Sequence, residues 1–358
     1  STLDRSSAAS DVYKRQAIDS ETANPFQAYQ ATRYVDTSIP HIPVTAHGLK
    51  ENGYATIATT NWLPYSWSIN NVAFAEVMHT ALSYFQAGRA DAGYKLLKSS
   101  VLDGMYLGDS PGNFGQISFY DAARGECYRD FGDPIGVASR VLIQGLFGIL
   151  PDALNQQIIL RPGFPDDWDK ASVSTPDISY RFTRKEDTDT YHITQRFQTP
   201  LHPVLHVNAR KEKIRSVKVN GVPATWQSIE SAHGYPLLSI QAEGTSSTTI
   251  TIEWEGAPLH TLAVQEPVIT SNGKLALQIP SGASISQVYD PQSVLANHTV
   301  EATAFNAQIK GEPGHHTFFV YTHQGEMDWW QPVNIYIENV RESPSYTAVS
   351  YTHLRAHE

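Results

Sequence analysis

The spacing of apolar residues changes once along the chain. Over 70–102 and 134–149 apolar side chains recur at helical spacing; from residue 157 onward they alternate. Val72, Ala75, Met78, Ala81, Leu82 and Phe85 form one stripe, and Gly88 stands where a helix terminus belongs, which predicts a helix over 70–87. Residues 89–102 continue as a partner helix with Tyr94, Leu97 and Val101 on one face, making a hairpin. After a polar stretch over 103–133, Asp133 reads as an N-cap, with Pro134 in the first turn. The run behind it holds Ile135, Val137, Val141, Leu142, Ile143, Leu146, Phe147 and Ile149. This predicts a helix buried on most sides and stopped by Pro151. Residues 17–60 carry Pro, Gly, Asn and Thr without a period, so extended loops are expected there.

The alternating part predicts strands over 157–162, 178–182, 190–197, 204–209, 214–221 and 248–254, with Asn220-Gly221 as a hairpin signal. Further strands are expected over 274–280, 285–290, 304–311, 316–322 and 333–338. They read as two antiparallel β-sandwich units, 153–256 and 257–340, or as one long sandwich. The fold class is therefore α+β and multidomain, with a helical section over 61–152. Two or three helices, one almost wholly apolar, cannot bury that surface by themselves, so a larger helical array is expected around them. Residues 1–16 and 341–358 follow neither period. They resemble sequencing-adapter ends translated into protein and are read as non-native termini.

Charge narrows the function classes. A formal net charge of −10 gives the chain no bulk attraction for nucleic acid or an anionic membrane. The densest basic group, Arg210, Lys211, Lys213 and Arg215, lies beside Glu212 and reads as a solvated turn, with phosphate binding as the alternative. No apolar run reaches the ~18 residues that would span a bilayer. A single cysteine, Cys127, excludes an internal disulfide. The 14 histidines are dispersed and no phosphate-cradling glycine loop follows a strand, so neither a metal nor a cofactor is expected.

Two segments carry chemistry. Trp62, Tyr65, Trp67, Asn70 and Asn71 precede the first helix of the hairpin. Aromatic rings can stack on the C–H faces of a sugar while amides bond its hydroxyls; equally, the rings could fill a core and an Asn could cap the helix. The stretch before the apolar helix is denser, with Asp109, Asp121, Glu126, Asp130 and Asp133 among Asn113, Arg124, Tyr128 and Arg129. Glycoside hydrolysis needs two carboxyl groups flanking the scissile bond, one protonated as acid and one ionised as base or nucleophile. At the N-terminus of a helix an ionised carboxylate is favoured.

The residues Gly136, Gly148-Ile149, Pro151, Ile159, Arg161-Pro162, Pro165 and Trp168 resemble the join between the last helix of an (α/α)6 toroid and the following β-sandwich in six-hairpin glycosidases. Fucosidase-like and rhamnosidase-like enzymes carry a similar run. Residues 61–168, together with the segment around His315 to Glu338, more closely resemble an uncharacterised bacterial family, domain of unknown function 4450. The resemblance covers most of residues 60–338.

It implies the C-terminal hairpins of a toroid followed by β-sandwiches. The general base would then lie on the loop into the last toroid helix, at Asp109, Glu126 or Asp130, with Trp62, Tyr65, Trp67, Asn70, Asn71, Asn113, Tyr128 and Arg129 around the substrate. The general acid would come from an earlier hairpin, so this chain alone is expected to be inactive. The implied partner is a carbohydrate, and the implied parent protein is periplasmic or extracellular. A non-catalytic carbohydrate-binding or structural module is the alternative, and lyase chemistry with Tyr128 as base is a third reading.

Overall fold

The computed structural model describes residues 17–59, 71–107, 119–121, 126–128, 132–260 and 266–339. It is mostly β, with several antiparallel sheets and few helices. The described helices are α1 (Pro25–Ser38), α2 (Phe74–Gln86), α3 (Ala90–Val101) and α4 (Asp133–Arg140). They do not by themselves close a toroid.

The helix buried on most sides is α2. Phe74, Val77, Met78, Ala81, Leu82 and Phe85 are all buried, and they belong to one apolar core with residues of the first β-sheets. The helix starts at Phe74, four residues later than its spacing suggests, because Asn71–Ala73 pair as a strand. No side chain caps it, so Asn71 is not a helix cap. Its end is as expected: Gly88 has φ +73°, a conformation that costs glycine little, and its N–H donates to the Phe85 carbonyl at 3.0 Å.

The apolar run behind Asp133 meets its prediction in part: Val141, Leu146, Phe147 and Ile149 are buried. Along it, Ile135 is 55% exposed and Leu142 43% exposed. Helix α4 meets α2 on one side, and nothing among the described residues covers the other. The burial argument for a larger array therefore applies to α4 alone. The N-cap is Gly132 and no side chain closes it; Asp133 instead sits in the first turn, where its charge suits the helix dipole. The helix widens into a π-turn over Val141–Leu146 and stops at Gly148, not at Pro151, which lies in the strand Ile149–Asp152. Gly148 has φ +64°, and a Cβ there would lie 1.9 Å from the Arg161 carbonyl oxygen. Only glycine fits that turn.

Residues 17–60 are not extended loops throughout. Asn24 Oδ1 accepts the Gln27 N–H at 2.9 Å and Gln27 Oε1 accepts the Asn24 N–H at 3.0 Å, a capping box with Pro25 in the first turn. Tertiary contacts hold the helix that follows. The Phe26 ring lies 4.7 Å from Tyr289, 4.8 Å from Phe319 and 5.5 Å from Trp330, centroid to centroid. Asp36 accepts from Arg89 and from the Tyr84 hydroxyl, each at 2.6 Å, and Arg33 donates to Glu266 at 2.6 Å. Downstream, His41–Pro43 pairs antiparallel with Ala55–Ile57.

Two sheets follow that share one core. The six-stranded sheet runs in the order Val222–Pro223, Lys211–Val219, Ser247–Pro258, Thr188–Gln195, Ile178–Lys185, Lys170–Ser174. In the five-stranded sheet, His202–Asn208 is parallel to Gln157–Leu160 and antiparallel to Leu237–Gln241. Asn220 at φ +51° and Gly221 at φ +82° make the expected tight hairpin. A second pair, of four and three strands between Val268 and Glu338, encloses its own core of Phe305, Phe318, Val320, Val333, Ile335 and Ile337.

The helices dock on the first pair through Phe85. A Cβ added at Gly163 would lie 2.4 Å from its ring, and one at Gly145 2.6 Å. Two glycines therefore form the slot that lets this ring join α2 to the sheets.

Candidate functional site

Of the residues singled out from the sequence, Trp62, Tyr65, Trp67, Asn70, Asp109, Asn113, Arg129 and Asp130 lie outside the described residues. Asn71, Glu126 and Tyr128 fall within them, on a small antiparallel sheet of three strands: β1 (Asn71–Ala73), β2 (Phe119–Asp121) and β3 (Glu126–Tyr128). Its register places Asn71 opposite Asp121 and Asp121 opposite Glu126; in the other outer row, Ala73 faces Phe119 and Phe119 faces Tyr128. Directly opposite positions of an antiparallel ladder share one face of the sheet. Two segments some fifty residues apart are thus paired in one ladder, with Asn71, Asp121 and Glu126 at successive opposite positions.

The row is held against the helical core. β1 runs straight into α2, so the sheet sits at the N-terminus of the most buried helix. The Ala73 N–H donates to Thr59 Oγ1 at 2.9 Å, tying β1 to the end of the upstream hairpin. A helix N-terminus favours negative charge nearby.

At the far end of α4, Arg140 donates to both oxygens of Asp19, at 2.6 and 2.8 Å, and Gln86 adds a bond at 3.1 Å. Burial alone would raise the Asp19 carboxyl; those bonds outweigh it and hold the group below the ordinary carboxylate value. This carboxylate is paired and helps hold α4 in place.

Three of the four basic residues over 210–215 pair within the fold. Arg210 reaches Asp189 at 3.0 Å, Lys211 reaches Asp187 at 2.8 Å and Arg215 reaches Glu255 at 3.4 Å. Among the described residues no three His, Cys, Asp or Glu side chains gather as a metal site would require. No helix among them is long and apolar enough to cross a membrane. Sequence reasoning treated Arg161 only as part of the junction run, yet it borders two cavities between the helices and the sheets. Its position two residues before the Phe85 slot glycine was the available signal.

No family model matches the chain, and no curated protein matches it. Solved structures do. An α-L-rhamnosidase from Dictyoglumus thermophilum is similar over 51% of this chain and 21% of its own, with 14% identity and a TM-score of 0.35. The N-terminal eight Ig domains of Down Syndrome Cell Adhesion Molecule align with 47% of this chain and 33% of theirs, at 9% identity and a TM-score of 0.17. The N-terminal periplasmic domain of ScsB from Proteus mirabilis aligns with 47% of this chain and 98% of its own, at 8% identity and a TM-score of 0.15. The chain spans about a fifth of the length of the rhamnosidase it matches.

Proposed function

We propose that the chain is part of a glycoside hydrolase that cleaves a glycosidic bond in a plant or algal polysaccharide, with carboxyl groups as acid and base. The observation that carries this reading is the register of the small sheet, which sets the positions of Asp121 and Glu126 opposite each other with Asn71 beside them. Cleavage of this kind needs one carboxyl group ionised as base and a second, protonated one across the bond as acid. Glu126 is the general base of this reading, with Asp109 and Asp130 as the other candidates. Asn71 and Tyr128 supply hydrogen bonds to sugar hydroxyls. Trp62, Tyr65, Trp67, Asn70, Asn113 and Arg129 are the further substrate-binding residues of this reading, and the second carboxyl across the bond comes from elsewhere in the complete enzyme.

The test uses the polypeptide encoded by the complete reading frame and a panel of polysaccharides, read by reducing-end release. Glu126→Gln is expected to lower kcat by about 10²- to 10⁴-fold with KM changed far less. Hydrolysis retained in Glu126→Gln, Asp109→Asn and Asp130→Asn alike would overturn the proposal, as would tight glycan retention with no turnover by the unmodified protein.

A further inference from the structure

The geometry points to a binding site for a small organic carboxylate at Arg161, in the cleft where helices α1 and α2 meet the five-stranded sheet. Arg161 follows the strand Gln157–Leu160 and borders both cavities there. One, of about 220 Å³, is walled by Pro25, Phe85, His206, His233 and Tyr235. The other, of about 350 Å³, carries Asp19, Glu21 and Gln144. The Arg161 side chain is half-buried, and it makes no hydrogen bond and no ion pair with any described residue. Glu21 attracts it only from a distance. Buried cations ordinarily find an anion, since leaving water unpaired is costly.

His206 supplies a second, independent sign. Its ring also has no hydrogen-bond partner among the described residues, it borders the same cavity, and the charge of Arg161 acts on it directly. Burial and that charge push its pKa down to about 4, so at neutral pH it is an uncharged imidazole with one N–H to give. His233 is engaged already, with Nε2 2.9 Å from the Ala87 carbonyl oxygen, and it acts as a wall.

One guanidinium fork and one neutral N–H suit a planar monoanion. A dianion such as phosphate is opposed by Asp19 and Glu21 on the adjoining rim. A cavity of about 220 Å³ takes a molecule of monosaccharide size or smaller. The site lies apart from the Asn71–Asp121–Glu126 row and does not depend on the glycosidase reading.

Isothermal titration of the full chain at constant ionic strength tests it, with glucuronate, acetate, inorganic phosphate and glucose as probes. Saturable binding of glucuronate and acetate is expected, with phosphate weaker and glucose absent. Arg161→Met should weaken carboxylate binding about tenfold or more, the cost of losing charged hydrogen bonds. Arg161→Lys, which keeps the charge and the fold but loses the fork, should weaken it less. No saturable binding of either carboxylate would overturn the proposal, as would equal affinity in both variants. Phosphate binding tighter than acetate would overturn the choice of a carboxylate.

Discussion

Two charges in the first β-sheet pair, one buried and one half-buried, have opposite surroundings. Asp189, 1% exposed, accepts from Arg184 at 2.9 Å and Arg210 at 3.0 Å through one oxygen, and from the Trp254 indole at 3.1 Å through the other. Arg161, in the cleft beside the neighbouring sheet, has no such partner among the described residues. The same fold thus neutralises one internal charge with three donors and leaves another facing a cavity. Compensation marks a charge that serves architecture; its absence marks one free to serve a ligand.

The sharpest way to separate the two is to remove the paired one. Asp189→Ala leaves two guanidinium groups and an indole N–H facing an emptied site, and breaking such a set by deleting one partner costs about 3–5 kcal/mol. Denaturant unfolding followed by tryptophan fluorescence should show that loss. A loss under about 1 kcal/mol, the level of an exposed ion pair, would remove the distinction drawn here.

A smaller effect should come from pH. Burial, aided by the charges of Arg161 and Arg89, pushes the His233 pKa down to about 4. In the unfolded chain this histidine titrates near its ordinary value of about 6.5. Between those values the unfolded state binds the extra proton, so stability falls as pH drops from about 6.5 towards 4, by up to about 3 kcal/mol. His233→Asn should make that part of the pH–stability curve shallower, leaving the contribution of His206, and an unchanged curve in the variant would contradict the assignment.

What the sequence revealed follows from where its information is local. The hairpin of α2 and α3, the Asn220-Gly221 turn and the long strands were legible because period and turn chemistry lie within a few residues of each other. Helix α1 was not, although Asn24, Pro25 and Gln27 spelled its start, because its apolar face is short and its anchors come from Tyr289, Phe319 and Trp330 some three hundred residues on. Composition was right for part of 135–149: Val141, Leu146, Phe147 and Ile149 are buried, while Ile135 and Leu142 are exposed because α4 has neighbours on fewer sides than α2. The register that sets Asn71, Asp121 and Glu126 in one row could not be read from spacing. Nor could the isolation of Arg161, since lacking a partner is a property of the folded surroundings.

The smallest expected effect is the most direct test of the comparison. Arg161→Met keeps the volume and the apolar stem while removing a charge that the fold does not pair. In buffer free of organic anions, its unfolding free energy should equal or exceed that of the unsubstituted chain. A loss as large as that expected for Asp189→Ala would show that Arg161 is held by partners of its own, and would contradict the account.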